Sequence, residues 1–367
     1  MKLTKLFALL VASATLLVGC GGDDDREVKP TGDITLKADV ESVVVGQSIT
    51  FTVTDLEGTD VTASATIFNR TDNYAEVSNP YVATKEGRNE FFAVVGNSSS
   101  DVIEVVVAPE IAALPNDPQP DNTSFAHHIL LIDHTGVQCG QCPRMMSALR
   151  QVSETEGYHE KYLEVMAHSY NTNDPAYSKA AATVSSHFSS FIVTSGYPTL
   201  TYNFFYNRYS TADAEDIKQT IDNLWSADGA DAGIAASTII SASTASVNAE
   251  VKAAVTAEYY LTAWLLEDNI YARQAGRQEE WQDYHHNAIR NMPAGTPIYG
   301  ESLGVIEAGA KVAKEFYLPI TSPDWAVDNM RVVLIVSAKT DDSGNAIDVV
   351  NVVSCPGNDS VTYEYLN

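Results

Sequence analysis

The sequence predicts a multidomain chain: a β-sandwich, then an α/β sandwich, then a C-terminal β-sandwich. Three observations carry that prediction. Residues 33–108 alternate apolar and polar side chains at period two between turn signals. Residues 125–228 switch to strands alternating with helix-length amphipathic stretches, the order of an α/β layer. Residues 229–367 return to β-type runs. A length of 367 residues accommodates two or three domains.

The first element is an export signal. Lys2 and Lys5 precede Leu6 to Val18, an uncharged apolar run of 13 residues. A helix needs about 20 to span a bilayer, so the run reads as the apolar core of a signal peptide over 1–19. It ends in Leu17-Val18-Gly19-Cys20, which resembles the lipobox of bacterial lipoprotein precursors. That resemblance implies cleavage before Cys20 and lipid on its thiol, which makes the membrane a partner. Residues 20–32 form an acidic tether containing Asp23-Asp24-Asp25, too polar to fold alone. The acidic run resembles the surface-export signal of some Gram-negative lipoproteins, implying an outer membrane protein that faces outward, with the periplasmic face as the alternative.

Within 33–108, Ile34 to Val40 and Ser48 to Val53 read as strands, with a turn at Val45-Gly46-Gln47. Further turn signals lie at Glu57 to Asp60, Ser78-Asn79-Pro80 and Lys85-Glu86-Gly87, and Val102 to Val107 closes the set. The segment resembles bacterial immunoglobulin-like (Ig-like) spacer domains. It carries no cysteine. Residues 109–124, with Pro115, Pro118 and Pro120, read as an extended linker.

From 125 to 228 the expected order is strand Ile129–Ile132, helix Arg144–Glu156, strand Tyr162–Met166, helix Asp174–Phe191, strand Thr199–Phe205 and helix Ala212–Trp225. In 229–367 strands are expected at Ile234–Ser241, Ser246–Thr256, Tyr259–Leu266, Val312–Pro319, Arg331–Ala338 and Ile347–Val353. Residues 271–309 read as irregular.

Lys plus Arg number 22 against 48 Asp plus Glu, a net charge of −26, and signal removal takes two more lysines. Such a surface repels phosphate backbones, so nucleic acid is excluded as a partner. Of four cysteines, Cys20 carries lipid, Cys139 and Cys142 form a CxxC, and Cys355 is left as a free thiol. In an oxidising compartment a CxxC serves redox or disulfide chemistry more readily than zinc. His168, at a strand end, reads as a backbone-bonded residue rather than a ligand. Adjacent His285 and His286 diverge and lack a spaced partner. No metal and no cofactor is expected.

Cys139-Gly140-Gln141-Cys142 lies between a buried strand and a helix start, where free amides and the helix dipole favour thiolate. Asp133 precedes it by six residues, and Gly196-Tyr197-Pro198-Thr199 opens the next strand pair. These three features in this order resemble thioredoxin. The resemblance implies that Cys139 attacks, Cys142 resolves and closes a disulfide with Cys139, Asp133 relays protons, and Pro198 is a cis-proline presenting backbone to substrate. Gln138 replaces the usual aromatic before the motif, and Pro143 follows it. More widely, Thr135 to Pro143, His168, Gly196 to Thr199, Glu267-Asp268-Asn269 and His286 to Arg290 resemble the twenty-eight-kilodalton-type outer membrane lipoproteins over about 125–367.

Two functions follow. One is thiol-disulfide exchange on exported proteins bearing thiols or disulfides. The other is a surface binding lipoprotein in which the fold is a scaffold and Cys139–Cys142 a structural disulfide.

Overall fold

The computed structural model describes residues 33–190, 192, 196–339 and 347–366, without the side chains of 205–209. The signal segment 1–19, Cys20 and the tether 20–32 lie outside the described residues. The chain divides into two compact units between Glu110 and Ile111. Both are built mainly of β-sheet.

In the first unit, Ile34–Ala38 pairs antiparallel with Phe51–Asp55. A larger sheet is assembled around Gly87–Val95, which pairs with Ile103–Ala108 and Thr66–Asn69. Inward residues of both sheets, among them Leu36, Phe51, Val53, Phe91 and Val105, share one buried core. The period-two pattern produces this directly, because alternate side chains must face inward.

The second unit is organised by one large sheet. Its strands are β1 (Ile129–Thr135), β2 (Tyr162–His168), β3 (Thr199–Tyr202), β4 (Phe205–Ser210), β7 (Ala257–Glu267), β8 (Ala288–Asn291), β9 (Glu301–Ile306), β11 (Met330–Lys339) and β12 (Ile347–Pro356). The order is β4-β3-β1-β2-β8-β7-β11-β12, with β9 also on β7. A smaller sheet holds β5 (Ala232–Ile240), β6 (Thr244–Ala253), β10 (Lys311–Pro319) and β13 (Ser360–Val361). Helices α1 (Cys142–Ser153), α2 (Lys179–His187) and α3 (Ala214–Leu224) cover the strands. Side chains of Ser178 and Asp213 accept backbone N–H groups at the starts of α2 and α3.

β1 is buried along its whole length, as the apolar run Ile129–Ile132 requires of its first half, and Asp133, His134 and Thr135 are buried with it. Ile129 and Leu131 pack on Met145, Leu149 and Val152 of α1 and on Ile217 and Ile221 of α3. Leu130 and Ile132 face the other way, towards Ala181, Val184 and Phe188. Further along the sheet, Leu261, Leu265, Val332 and Leu334 pack against Ile234, Val247 and Val251 of the smaller sheet, making a sandwich.

The expected boundary at 228/229 is bridged. β8 pairs parallel with β2 through Met166 and Ala288, and antiparallel with β7 through Leu266 and Ile289. It comes from the stretch read as irregular, because four residues are too few to show a period. The proline-rich stretch also differs from a free linker. Asn248 and Ser237 donate to the carbonyls of Ala112 and Ala113. Asp117 is paired with Lys252 (3.1 Å) and Lys311 (2.8 Å) and accepts from Tyr365 (2.7 Å). Prolines remove donors from this stretch, and side chains of the sandwich satisfy its carbonyls instead.

Candidate disulfide site

β1 ends at Thr135, and the chain turns back through Gly136, whose carbonyl accepts from Cys139 N–H (3.0 Å). α1 starts at Cys142 with Pro143 in its first turn, where the missing N–H costs nothing. Cys139 and Cys142 form a disulfide, with Cα atoms 5.4 Å apart. Their residues are 3% and 0% exposed. The Tyr197–Pro198 peptide is cis. Pro198, Tyr197 and Thr199 line a cavity of about 350 Å³ together with Gln141 and Arg144, so the proline loop and the CxxC loop meet at one groove.

Asp133 lies on β1, two residues before its end. Its register partners are Leu200 on β3 and Met166 on β2. The side chain is fully buried and neither carboxylate oxygen has a hydrogen-bond partner. Burial raises its pKa well above the usual carboxylate range, and the nearby Glu164 adds to the rise. Glu164 sits opposite Leu131 on the same face of the sheet. Burial pushes it up to about 7, opposed by Arg331.

Sequence reasoning did not foresee what supports the CxxC loop. Asp174 Oδ2 accepts from Val137 N–H (2.8 Å) and holds His168 Nδ1 (2.8 Å). Burial opposes ionisation of Asp174, but His168 and two backbone amides hold its pKa below the usual value. His168 Nε2 is buried without a partner. The His285 ring stands edge-on to it, centroids 5.0 Å apart, and donates through Nε2 to the Ala272 carbonyl (3.1 Å). Burial, with His168 adding, lowers His285 to about 4. His285 is buried and His286 exposed, so the adjacent pair diverges. Among the described residues no cluster suits a metal ion. Cys355 is a buried free thiol, raised to about 11 by burial.

A strap over residues 272–283 covers the disulfide loop. Gln274 Nε2 donates to the Cys139 carbonyl (2.9 Å), Ala275 N–H to Val137 (2.7 Å) and Gln282 Nε2 to Pro143 (2.9 Å). Gly276, at φ +71°, presses so closely that a Cβ there would lie 2.3 Å from the Gly140 carbonyl oxygen. A glutamine and a glycine in an irregular stretch give no sequence signal for this role. Gly276→Val is expected to lift the strap. The rate of disulfide reduction by a small thiol should rise about tenfold for each 1.4 kcal/mol lost from the closed strap. An unchanged rate in a thiol-labelling assay would show that the strap does not limit access.

Residues 185–357 match the model of the family described as outer membrane protein Omp28, a stretch that includes Pro198 but neither Asp133 nor the two cysteines. No curated protein matches the sequence. Among solved structures, HBP35 of Porphyromonas gingivalis aligns with a TM-score of 0.53 at 14% identity, covering 67% of this chain and 79% of its own. A structural-genomics protein from Agrobacterium tumefaciens aligns at a TM-score of 0.39 and 15% identity, over 64% of this chain and 96% of that one. The family match supports an Omp28-type protein, and the likeness to HBP35 bears on the fold alone.

Proposed function

We propose that this chain is an outer membrane lipoprotein, anchored through lipid on Cys20 and facing outward, whose thioredoxin-like module exchanges disulfides with exported proteins. The family match over 185–357 supports the outer membrane. The lipobox resemblance supports the anchor. The module comprises β1, β2, β3 and β4 with α1, α2 and α3, and the first unit, a sandwich, serves as an Ig-like spacer.

The observation that carries the exchange reading is Asp133. A buried carboxyl without a hydrogen-bond partner is costly to keep, and a structural disulfide has no need of it. In the proposed reaction a substrate thiolate, docked along the Pro198 groove, attacks Cys139 Sγ. The Cys139–Cys142 bond breaks and Cys142 leaves as a thiolate that takes a proton from Asp133. A second substrate thiolate then attacks the substrate sulfur of the mixed disulfide and releases Cys139. The substrate dithiol is oxidised and the CxxC is reduced, two electrons moving between them.

The strap favours a second reading, in which the disulfide is structural and the protein is a surface binding lipoprotein, because Cys139 is only 3% exposed. The reduction potential of the pair, titrated against glutathione or dithiothreitol with thiol labelling, separates the two. A value between about −120 and −270 mV is expected for an exchange protein, and one below about −300 mV marks a structural disulfide.

A further inference from the structure

A second cavity, of about 590 Å³, opens on the opposite side of α1 from the Pro198 groove. Its size falls in the range of small-molecule sites. Met146, Leu149, Met166, Trp281 and Tyr284 give it apolar and aromatic walls, and Glu164 also lines it. Glu164 Oε1 is buried and has no hydrogen-bond partner in the protein. The nearby cations are already engaged. Arg150 pairs with Glu154 (2.8 Å) and Glu279 (3.9 Å) while lying over the Trp281 ring (4.9 Å). Arg331 bonds Asp268 (3.1 Å) and Ser354 (2.8 Å).

We infer that this cavity binds a small organic cation, a primary amine carrying a flat apolar body. The ammonium would give Glu164 the donor it lacks, and the body would stack between Trp281, Tyr284 and the methionines. A carboxylate ligand would face the Glu164 oxygen and be repelled. A neutral alcohol would fill the walls but form only a neutral hydrogen bond, which is weaker than a charge-assisted one. The inference does not depend on the exchange reading, since the cavity and the Pro198 groove occupy different faces of α1.

The test is calorimetric titration of the intact oxidised protein with 2-phenylethylamine, 2-phenylethanol and 3-phenylpropanoate. The amine is expected to bind about ten- to a hundredfold more tightly than the alcohol, and the carboxylate not at all. Glu164→Gln should bring the amine down to the alcohol's affinity. Ser153→Trp, an exposed position on the cavity lining, should block both ligands and covers the case in which Glu164→Gln disturbs the fold. Replacing Cys139 and Cys142 together with serine should leave amine binding unchanged. Equal affinity for amine and alcohol, or no binding by any of the three, overturns the assignment.

Discussion

Asp117→Ala is expected to destabilise the second unit by about 3–5 kcal/mol, the cost of leaving a buried charge without its partner. Lys252 is fully buried, and its ammonium lies 3.1 Å from Asp117. The remaining partners are neutral: the carbonyls of Gln119 (3.2 Å) and Pro120 (2.7 Å) and the Tyr365 hydroxyl (3.2 Å). The rings of Phe125, Tyr363 and Tyr365 surround the ammonium within 6.0 Å and help only in part. Lys252→Met should cost less, because Asp117 keeps Lys311 at 2.8 Å. Burial opposes ionisation of Asp117, yet hydrogen bonds from Lys311, Tyr365, Gln119 N–H and Lys252 hold its carboxyl well below the usual value. A depressed carboxylate pKa stabilises the fold above the unfolded value of about 4, and that contribution is lost as pH falls through the folded value. The gap between wild type and Asp117→Ala in urea midpoints should therefore be constant from about pH 7 to 5 and shrink below about 4. A gap that persists unchanged at pH 3 would place the effect elsewhere than in this ion pair.

Asp133→Asn is expected to slow exchange by about a hundredfold while stabilising the oxidised protein. General acid-base groups contribute roughly 10²–10⁴ in rate, and an amide cannot pass the proton that Cys142 needs. The stability change has the opposite sign from that of Asp117→Ala. A raised carboxyl pKa disfavours the fold increasingly as pH rises from the unfolded value towards the folded one, since only the unfolded chain can ionise freely. Removing the ionisable group relieves that cost, so the variant should unfold at higher urea than wild type at neutral pH and at about the same urea near pH 3. The rate at which a labelled peptide dithiol forms a mixed disulfide with Cys139, followed by mass spectrometry, reads the catalytic half, because Cys142 leaves in that step. Formation at the wild-type rate would remove Asp133 from the mechanism.

Local patterns made much of this molecule legible. Period-two alternation marked Ile34 to Val40 and Ser48 to Val53, which overlap the observed strands Ile34–Ala38, Ser48–Ile49 and Phe51–Asp55, because one face of a sandwich strand must be buried. The unbroken run at Ile129 identified a strand covered on both faces. Cys139 and Cys142 are close in sequence, so their pairing needs only a turn and a helix start. Nothing local marks His127 and His128 as half-buried, and Ser226 N–H donates to His127 Nδ1 (2.9 Å) across 99 residues.

The sequence by itself determined most of the strand and helix order outside residues 271–309, the position of the CxxC at a strand end, and the acidic character of the chain. Tertiary structure alone decided what those elements face. The parallel register of β1 and β2 sets Leu131 against Glu164 and Asp133 against Met166, bringing two carboxyls onto one buried face. Gln274 reaches the Cys139 carbonyl across 135 residues, and Lys252 reaches Asp117 across the same separation. Periodicity reports only which side of an element is buried. Which residue lies across from it depends on strand register and loop closure, and these are fixed by the packing of the whole unit.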